Sequence, residues 1–371
     1  MIFKQDVLNS ALLKRRLLCR PIKQAQQHTL AQINQTHSSQ WTVLLGDTLI
    51  FDLAGLEAIK HTIANYEGNA SILRFRWQPS SQVVRDYYSH NAFCSPDGII
   101  ELPVQAIKQT HQTDQEETLA LEIEELTTPI MYPAALTPVD ANHTPLALLM
   151  PYSCEHDCLF ANQIAVFSAL SQRLKKAPIS WLKALFSFRK VPFKKRVALH
   201  WKDIHPSADI HPSAIIEGSI IGEHCRIGAH CVVRFSVLGS RVQLHDGAKV
   251  EYAVVDDNSW LMHDLVLYRS LVEQQVFLIH GPYQFSFFQR ESAAFASIMM
   301  DYRPDNKPIR IMTPGGIKDY QGRFLGALLQ EKAKVFGGTL TAPGITIPAQ
   351  EEVKCAIENI TTAKSIQNRK I

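Results

Sequence analysis

The C-terminal half of this 371-residue chain predicts a parallel β-solenoid, preceded by a domain of α/β character, and three observations carry that expectation. The tetrapeptides Ser219-Ile220-Ile221-Gly222, Ser236-Val237-Leu238-Gly239, Ala253-Val254-Val255-Asp256 and Ser270-Leu271-Val272-Glu273 recur every seventeen residues. Aliphatic residues fall between them at steps of six, six and five: Ile204, Ile210, Ile216, Ile221, Ile227, Val233, Leu238, Leu244, Val250, Val255, Leu261, Leu267, Val272 and Leu278. Small residues sit four places after many of these, at Ala208, Ala214, Cys225, Cys231, Ala248 and Ser259. A short fixed period of this kind is the mark of a solenoid, in which no single unit buries its own apolar face.

Each step is a short strand and a corner, and three steps close one triangular coil. Coils stack at the strand spacing of about 4.8 Å, so inward side chains form columns. One fully buried aliphatic side chain contributes roughly 1.5–3 kcal/mol, and only a stack gathers enough of them. The spacing predicts about five coils from Ile204, a lapse between Gly281 and Gly322, and a further coil around Leu329, Val335, Thr341 and Ile347.

The segments Ile204-His205-Pro206-Ser207-Ala208, Ile210-His211-Pro212-Ser213-Ala214, Ile221-Gly222-Glu223-His224-Cys225-Arg226 and Thr341-Ala342-Pro343-Gly344-Ile345-Thr346-Ile347-Pro348 resemble the hexapeptide repeats of the bacterial transferase superfamily. That resemblance implies a left-handed parallel β-helix, assembled as a homotrimer. It also implies, for an active member, acyl transfer from acyl-CoA to a sugar or sugar nucleotide.

Upstream, residues 1–176 lack the repeat. Trp41-Thr42-Val43-Leu44-Leu45 reads as a strand ending in Gly46-Asp47. A helical face of Leu53, Leu56, Ile59 and Ile63 follows, then a strand over Ser71-Ile72-Leu73-Arg74-Phe75. This order resembles the second half of a sugar-nucleotidyltransferase domain, in which Asp47 would stand at the metal-binding aspartate. The chain departs from that family by having no glycine before Gly46, so the phosphate-wrapping loop of those enzymes is missing. Whole-chain architecture resembles a bacterial group that joins a reduced nucleotidyltransferase-like region to a hexapeptide helix.

Residues 177–203 form a basic bridge. From Gln172 to Lys202 there are ten lysines and arginines and no acid, interleaved with Trp181, Leu182, Leu185, Phe186 and Phe188. Such a segment suits either peripheral contact with an anionic membrane through residues 173–202 or packing on the first coil with its basic face in water. The expected organisation is thus an α/β domain at 1–176, the bridge at 177–203, a β-helix at 204–349 with an insertion at about 281–322, and a tail at 350–371.

Composition narrows the function classes. A formal net charge of +3 gives the whole molecule no bulk attraction for nucleic acid. Seven scattered cysteines do not read as a disulfide framework. The N-terminus mixes Lys14, Arg15 and Arg16 into its short apolar stretch, unlike a signal peptide, and the expected location is the cytoplasm. Cys154 and Cys158, at i and i+4 before an apolar helical pattern through Phe160, Ile164 and Leu170, share a face and have donors that suit Zn²⁺. Acids in a helix's first turn explain Glu155 and Asp157 equally well, and no metal is expected.

Outward positions align too. Asp246, His263 and His280 each lie two residues after an inward aliphatic and are expected to stack, with His245 beside Asp246. The resemblance to hexapeptide acyltransferases implies a coil-face histidine as general base toward an acceptor attacking a thioester, and an imidazole near neutral pKa, oriented by a carboxylate, suits that role. Asp246, His245, His263 and His280 are therefore the candidate catalytic residues. Arg269, Arg290 and Arg310 are the cations considered for phosphates. Glu217, Arg234 and Glu251 alternate in sign and read as a stabilising ladder. The rival readings are a non-catalytic oligomeric scaffold or regulator, and a sugar-1-phosphate nucleotidyltransferase acting through Asp47.

Overall fold

The structure is a computed structural model that describes residues 2–5, 16–17, 20–34, 40–80, 84–85, 88–91, 93–108, 115–129, 141–174, 182, 200–305 and 307–355. Most of the basic bridge, at 175–181 and 183–199, and the tail at 356–371 lie outside these described residues.

The N-terminal region is built on a mixed five-stranded sheet in the order Ile2–Gln5, Trp41–Leu45, Ile100–Lys108, Ile72–Trp77 and Glu116–Leu121. Strict alternation places Leu73, Phe75 and Trp77 in the core. Helix α1 (Ile22–Asn34) packs against helix α2 (Leu53–Ala64). The α2 start is fixed by Asp52, whose carboxylate accepts from Gly55 N–H at 2.8 Å and Leu148 N–H at 3.1 Å. Leu56, Ile59 and Ile63 then face the sheet, as their spacing predicts.

Residues 202–353 wind into a three-sided parallel solenoid. Two sides are eight-stranded sheets and the third is a five-stranded sheet continued by a two-stranded one. Successive strands pair seventeen residues apart, as with Ile221↔Leu238, Leu238↔Val255 and Val255↔Val272 on the first side. Every predicted inward residue from Ile216 to Leu278 is buried in one cluster, and Ile204 and Ile210 pack at its end. Cys225 and Cys231 fill corners, donating Sγ–H to Gly239 O at 2.9 Å and His245 O at 3.1 Å.

The expected lapse at 281–322 is placed differently. The coils continue through Tyr283, Phe288, Ala294 and Met299, all inward. The period shortens to sixteen here, with Leu267↔Tyr283, Val272↔Phe288 and Leu278↔Ala294 in register. The sequence signal fades because these coils drop one residue and use aromatic or small inward side chains. The chain leaves the solenoid only after Met299, forms the hairpin Ile309–Thr313/Gly316–Tyr320, and re-enters at Leu328–Leu329.

Helix α3 (His156–Leu174) joins the two halves. It is buried nearly all round, which explains why Phe160, Ile164 and Leu170 form only part of its apolar surface. On the first solenoid side the outward column Val237, Val254, Leu271, Phe287 and Leu328 is buried in the same cluster as Leu159, Ala161, Ile164 and Val166. Ile309, Ile311 and Tyr320 of the hairpin join that cluster as well. No helix among the described residues is long and apolar enough to cross a membrane.

Leu267 is fully buried and inward. Leu267→Ala is expected to lower the free energy of unfolding by about 2–5 kcal/mol, read by urea denaturation. A loss below about 1 kcal/mol would place that side chain outside a packed core.

Candidate functional site

The three sides of the solenoid differ in what they leave open. The first is covered by α3 and the N-terminal core. The third carries the expected ladder: Arg234 Nε donates to Glu217 at 2.9 Å and Arg234 Nη1 to Glu251 at 3.1 Å. The second presents the outward column Asp209, Arg226, Gln243, Trp260 and Phe277, with Trp260 48% exposed.

At the corner between the second and third sides, His245 and His263 meet with ring centroids 4.8 Å apart, nearly perpendicular. The Trp260 ring lies 6.1 Å from His245. Partial burial pushes the His245 pKa below the ordinary imidazole value, the neighbouring His263 and Arg226 lower it further, and Asp246 opposes them. His245 is thus biased toward its neutral form, with a second imidazole against it.

Asp246 does not orient either ring. Its Oδ1 accepts the Ala229 N–H of the preceding coil at 2.7 Å, and among the described residues no hydrogen bond joins it to an imidazole. Ser207 and Ser213 of the His-Pro-Ser-Ala segments bond across coils in the opposite sense, accepting from His224 N–H and His230 N–H of the following coil at 2.9 Å each. That bonding accounts for the conspicuous hexapeptide motif by corner chemistry.

His280 also leaves the expected column. Its φ of +57° matches the +55° of Asp264 and +76° of Gly247, the left-handed corner positions one residue beyond His263 and Asp246. The step from Leu278 to Tyr283 is five residues where the step from Leu261 to Leu267 is six. The missing corner residue moves His280 from the level of His263 to that of Asp264. Among the described residues no hydrogen bond or ring contact joins it to His263.

The remaining candidates separate. Asp47 sits in the turn between Trp41–Leu45 and Leu49–Phe51, where Gly46 N–H donates to Pro103 O at 2.7 Å. Arg269 is buried, with its guanidinium 5.6 Å from the Tyr252 ring and 6.0 Å from that of Phe167. Arg290 is paired with Glu331 and Glu291. Arg310 lines an open pocket of about 390 Å³ with Arg303, Lys307 and Asp319, and Arg303 is held by both carboxylate oxygens of Asp305.

One cluster was not predicted. His90, Cys154 and Asp157 are all buried and offer ligand atoms within 4.8 Å of one another. His90 is 64 residues from Cys154 (154 − 90), so local spacing carried no sign of it. Cys158 is buried in α3 and is not one of the three.

In an NMR titration, the His245 ring is expected to titrate below about 6.5, and His263→Asn should raise that midpoint. A midpoint at or above 6.5 in the intact protein would contradict the packed imidazole pair.

No protein-family profile matches the chain, and no curated protein matches it. Among solved structures, the chain is similar to a Bacillus cereus protein carrying an acetyltransferase assignment, at 15% identity over 41% of this chain and 71% of that one, with a TM-score of 0.21. It is also similar to a hexapeptide transferase family protein from Anaplasma phagocytophilum, at 15% identity over 45% of this chain and 83% of that one, with a TM-score of 0.20.

Proposed function

We propose that this chain is a hexapeptide-repeat transferase that moves an acyl group from a CoA thioester to a hydroxyl or amine of a sugar or sugar nucleotide. The observation that carries this reading is the His245–His263 pair on an open corner of the solenoid, beside a half-exposed Trp260. A neutral His245 takes the acceptor proton as the acceptor attacks the thioester carbonyl; the new C–O or C–N bond forms, the C–S bond breaks, and the proton passes to the departing thiolate. Arg226 offers a cation, and Trp260 and Phe277 offer aromatic faces, which suit the phosphates and adenine of a CoA donor. Ile298 and Leu340 are paired neighbours on the third side, 65% and 64% exposed, and support burial of that side against further copies in a homotrimer.

The scaffold reading draws on a different observation: Asp246, the carboxylate best placed to orient an imidazole, is engaged by the Ala229 main chain.

Acetyl-CoA is expected to raise the melting temperature, and His245→Asn or His263→Ala to cut turnover about 10²–10⁴-fold without unfolding the protein. The sign follows from the depressed pKa of His245. The base is free above about pH 6.5, so kcat/KM is flat there and falls as pH drops through the lower pKa. A folded protein that ignores acyl-CoAs, or turnover unchanged in both variants, defeats the transferase reading and leaves the scaffold. Sedimentation equilibrium should give a mass of about three chains; a monomer would remove the homotrimer.

A further inference from the structure

The cluster of His90, Cys154 and Asp157 lies away from the solenoid corner and plays no part in the proposed transfer. His90 comes from the short segment 88–91, and Cys154 and Asp157 from the start of α3. All three side chains are at least 98% buried. The carboxylate is fixed before any ligand arrives: Asp157 Oδ2 accepts Ser153 N–H at 2.6 Å, Ser153 Oγ–H at 3.0 Å and Cys154 N–H at 2.9 Å. Its Oδ1 is left facing His90 Nε2 at 2.9 Å. The His90 segment is itself anchored, with Asn91 Nδ2 donating to Pro151 O at 2.6 Å and the His90 ring packed against the stacked rings of Tyr320 and Phe160 at 5.7 and 6.1 Å.

Polar atoms around the cluster are left without partners as well. Among the described residues, buried His90 Nδ1 has no hydrogen-bond partner, and neither ring nitrogen of the adjacent buried His156 has one.

We propose that His90, Cys154 and Asp157 form a structural binding site for a divalent zinc-like cation. One imidazole nitrogen, one thiolate sulfur and one carboxylate oxygen are the donor set of a borderline ion such as Zn²⁺. The ion displaces the Cys154 thiol hydrogen, which leaves as a proton, and takes His90 as a neutral imidazole through Nε2, the ring hydrogen passing to Nδ1. Thiolate and carboxylate then balance the two positive charges, so no net charge is buried. Hydrogen bonds from Ser153 and Cys154 to Asp157 are the outer support such a site requires.

The site would act as a clip. Lys318 Nζ donates to His90 O at 3.5 Å and Gln321 N–H to Ser89 Oγ at 3.0 Å, so the segment it fixes is also the seat of the solenoid's excursion.

The test uses the full chain purified without chelator, then loaded with Zn²⁺ and separately with Co²⁺. The expected result is about one tightly held Zn per chain by elemental analysis, a melting temperature lowered by strong chelators, and a thiolate-to-cobalt charge-transfer band. Cys154→Ser should abolish the band and the tight zinc, whereas Cys158→Ser, one turn along α3, should keep both. His90→Gln serves as a second ligand variant if Cys154→Ser does not fold. Less than roughly a tenth of an equivalent of metal in the loaded protein, or a band that survives Cys154→Ser, would overturn the site and leave His90 and Asp157 as a plain hydrogen-bonded pair.

Discussion

The solenoid depends on coil-to-coil register, and that register is enforced at the corners. Beyond the first coil most corners turn through a residue in the left-handed region, usually not glycine: Phe235, Tyr252, Arg269 and Phe285 on one edge have φ between +47° and +54°. Such a conformation costs an ordinary residue about 1–2 kcal/mol. The cost is offset only by stacking, because each of these residues donates its N–H to the coil before it, as Tyr252 does to Arg234 O and Arg269 to Glu251 O. Buried serines on the same edge add a second tie: Ser219 Oγ accepts from Ser236 N–H, and Ser236 Oγ from Ala253 N–H. A coil removed from the stack would keep its strain and lose every one of these partners.

This constraint decides where the repeat tolerates change. Deleting a residue within a strand would turn inward side chains outward. Deleting it at a corner leaves the columns intact, and the sixteen-residue coils follow that rule: Leu278 to Tyr283 and Ala294 to Met299 are five-residue corners between strands that remain in register. The inward core is therefore conservative while the outward surface is not. His280 was moved off the His263 level by such a change, although the buried side of the same coil continues without a break.

Legibility in the sequence divides along the same line. Inward columns were readable because a hydrophobic residue at a fixed step has one physical meaning in a stack, and the Glu217–Arg234–Glu251 ladder was readable because its register follows from theirs. The covered first side was present in the sequence but passed over. Ile220-Ile221, Val237-Leu238, Val254-Val255, Leu271-Val272, Phe287-Phe288 and Leu328-Leu329 are adjacent apolar pairs, and in a strand one of each pair must face outward. An apolar outward column needs a partner, which α3 supplies. The roles of Asp246 and His90 were not readable, because a carboxylate's choice between an imidazole and a backbone N–H, or a hydrogen bond across 67 residues such as His90 to Asp157, is settled only by the folded chain.

Covering the first side has a consequence for chemistry. The interface is bound by more than apolar area: Arg269 is 1% exposed, its guanidinium lies against Tyr252 and Phe167, and its carbonyl accepts from Gln163 of α3 at 2.6 Å. A buried cation is costly, and aromatic faces are among the few partners that offset it without a counter-ion. The N-terminal region is thus committed to that side, and ligand access there is closed. The third side pairs its charges with one another and ends in the exposed aliphatics Ile298 and Leu340. The second side and its corner differ from both, for there Trp260, His245 and His263 group polar and aromatic side chains at the surface, which is why the proposed transfer is placed there.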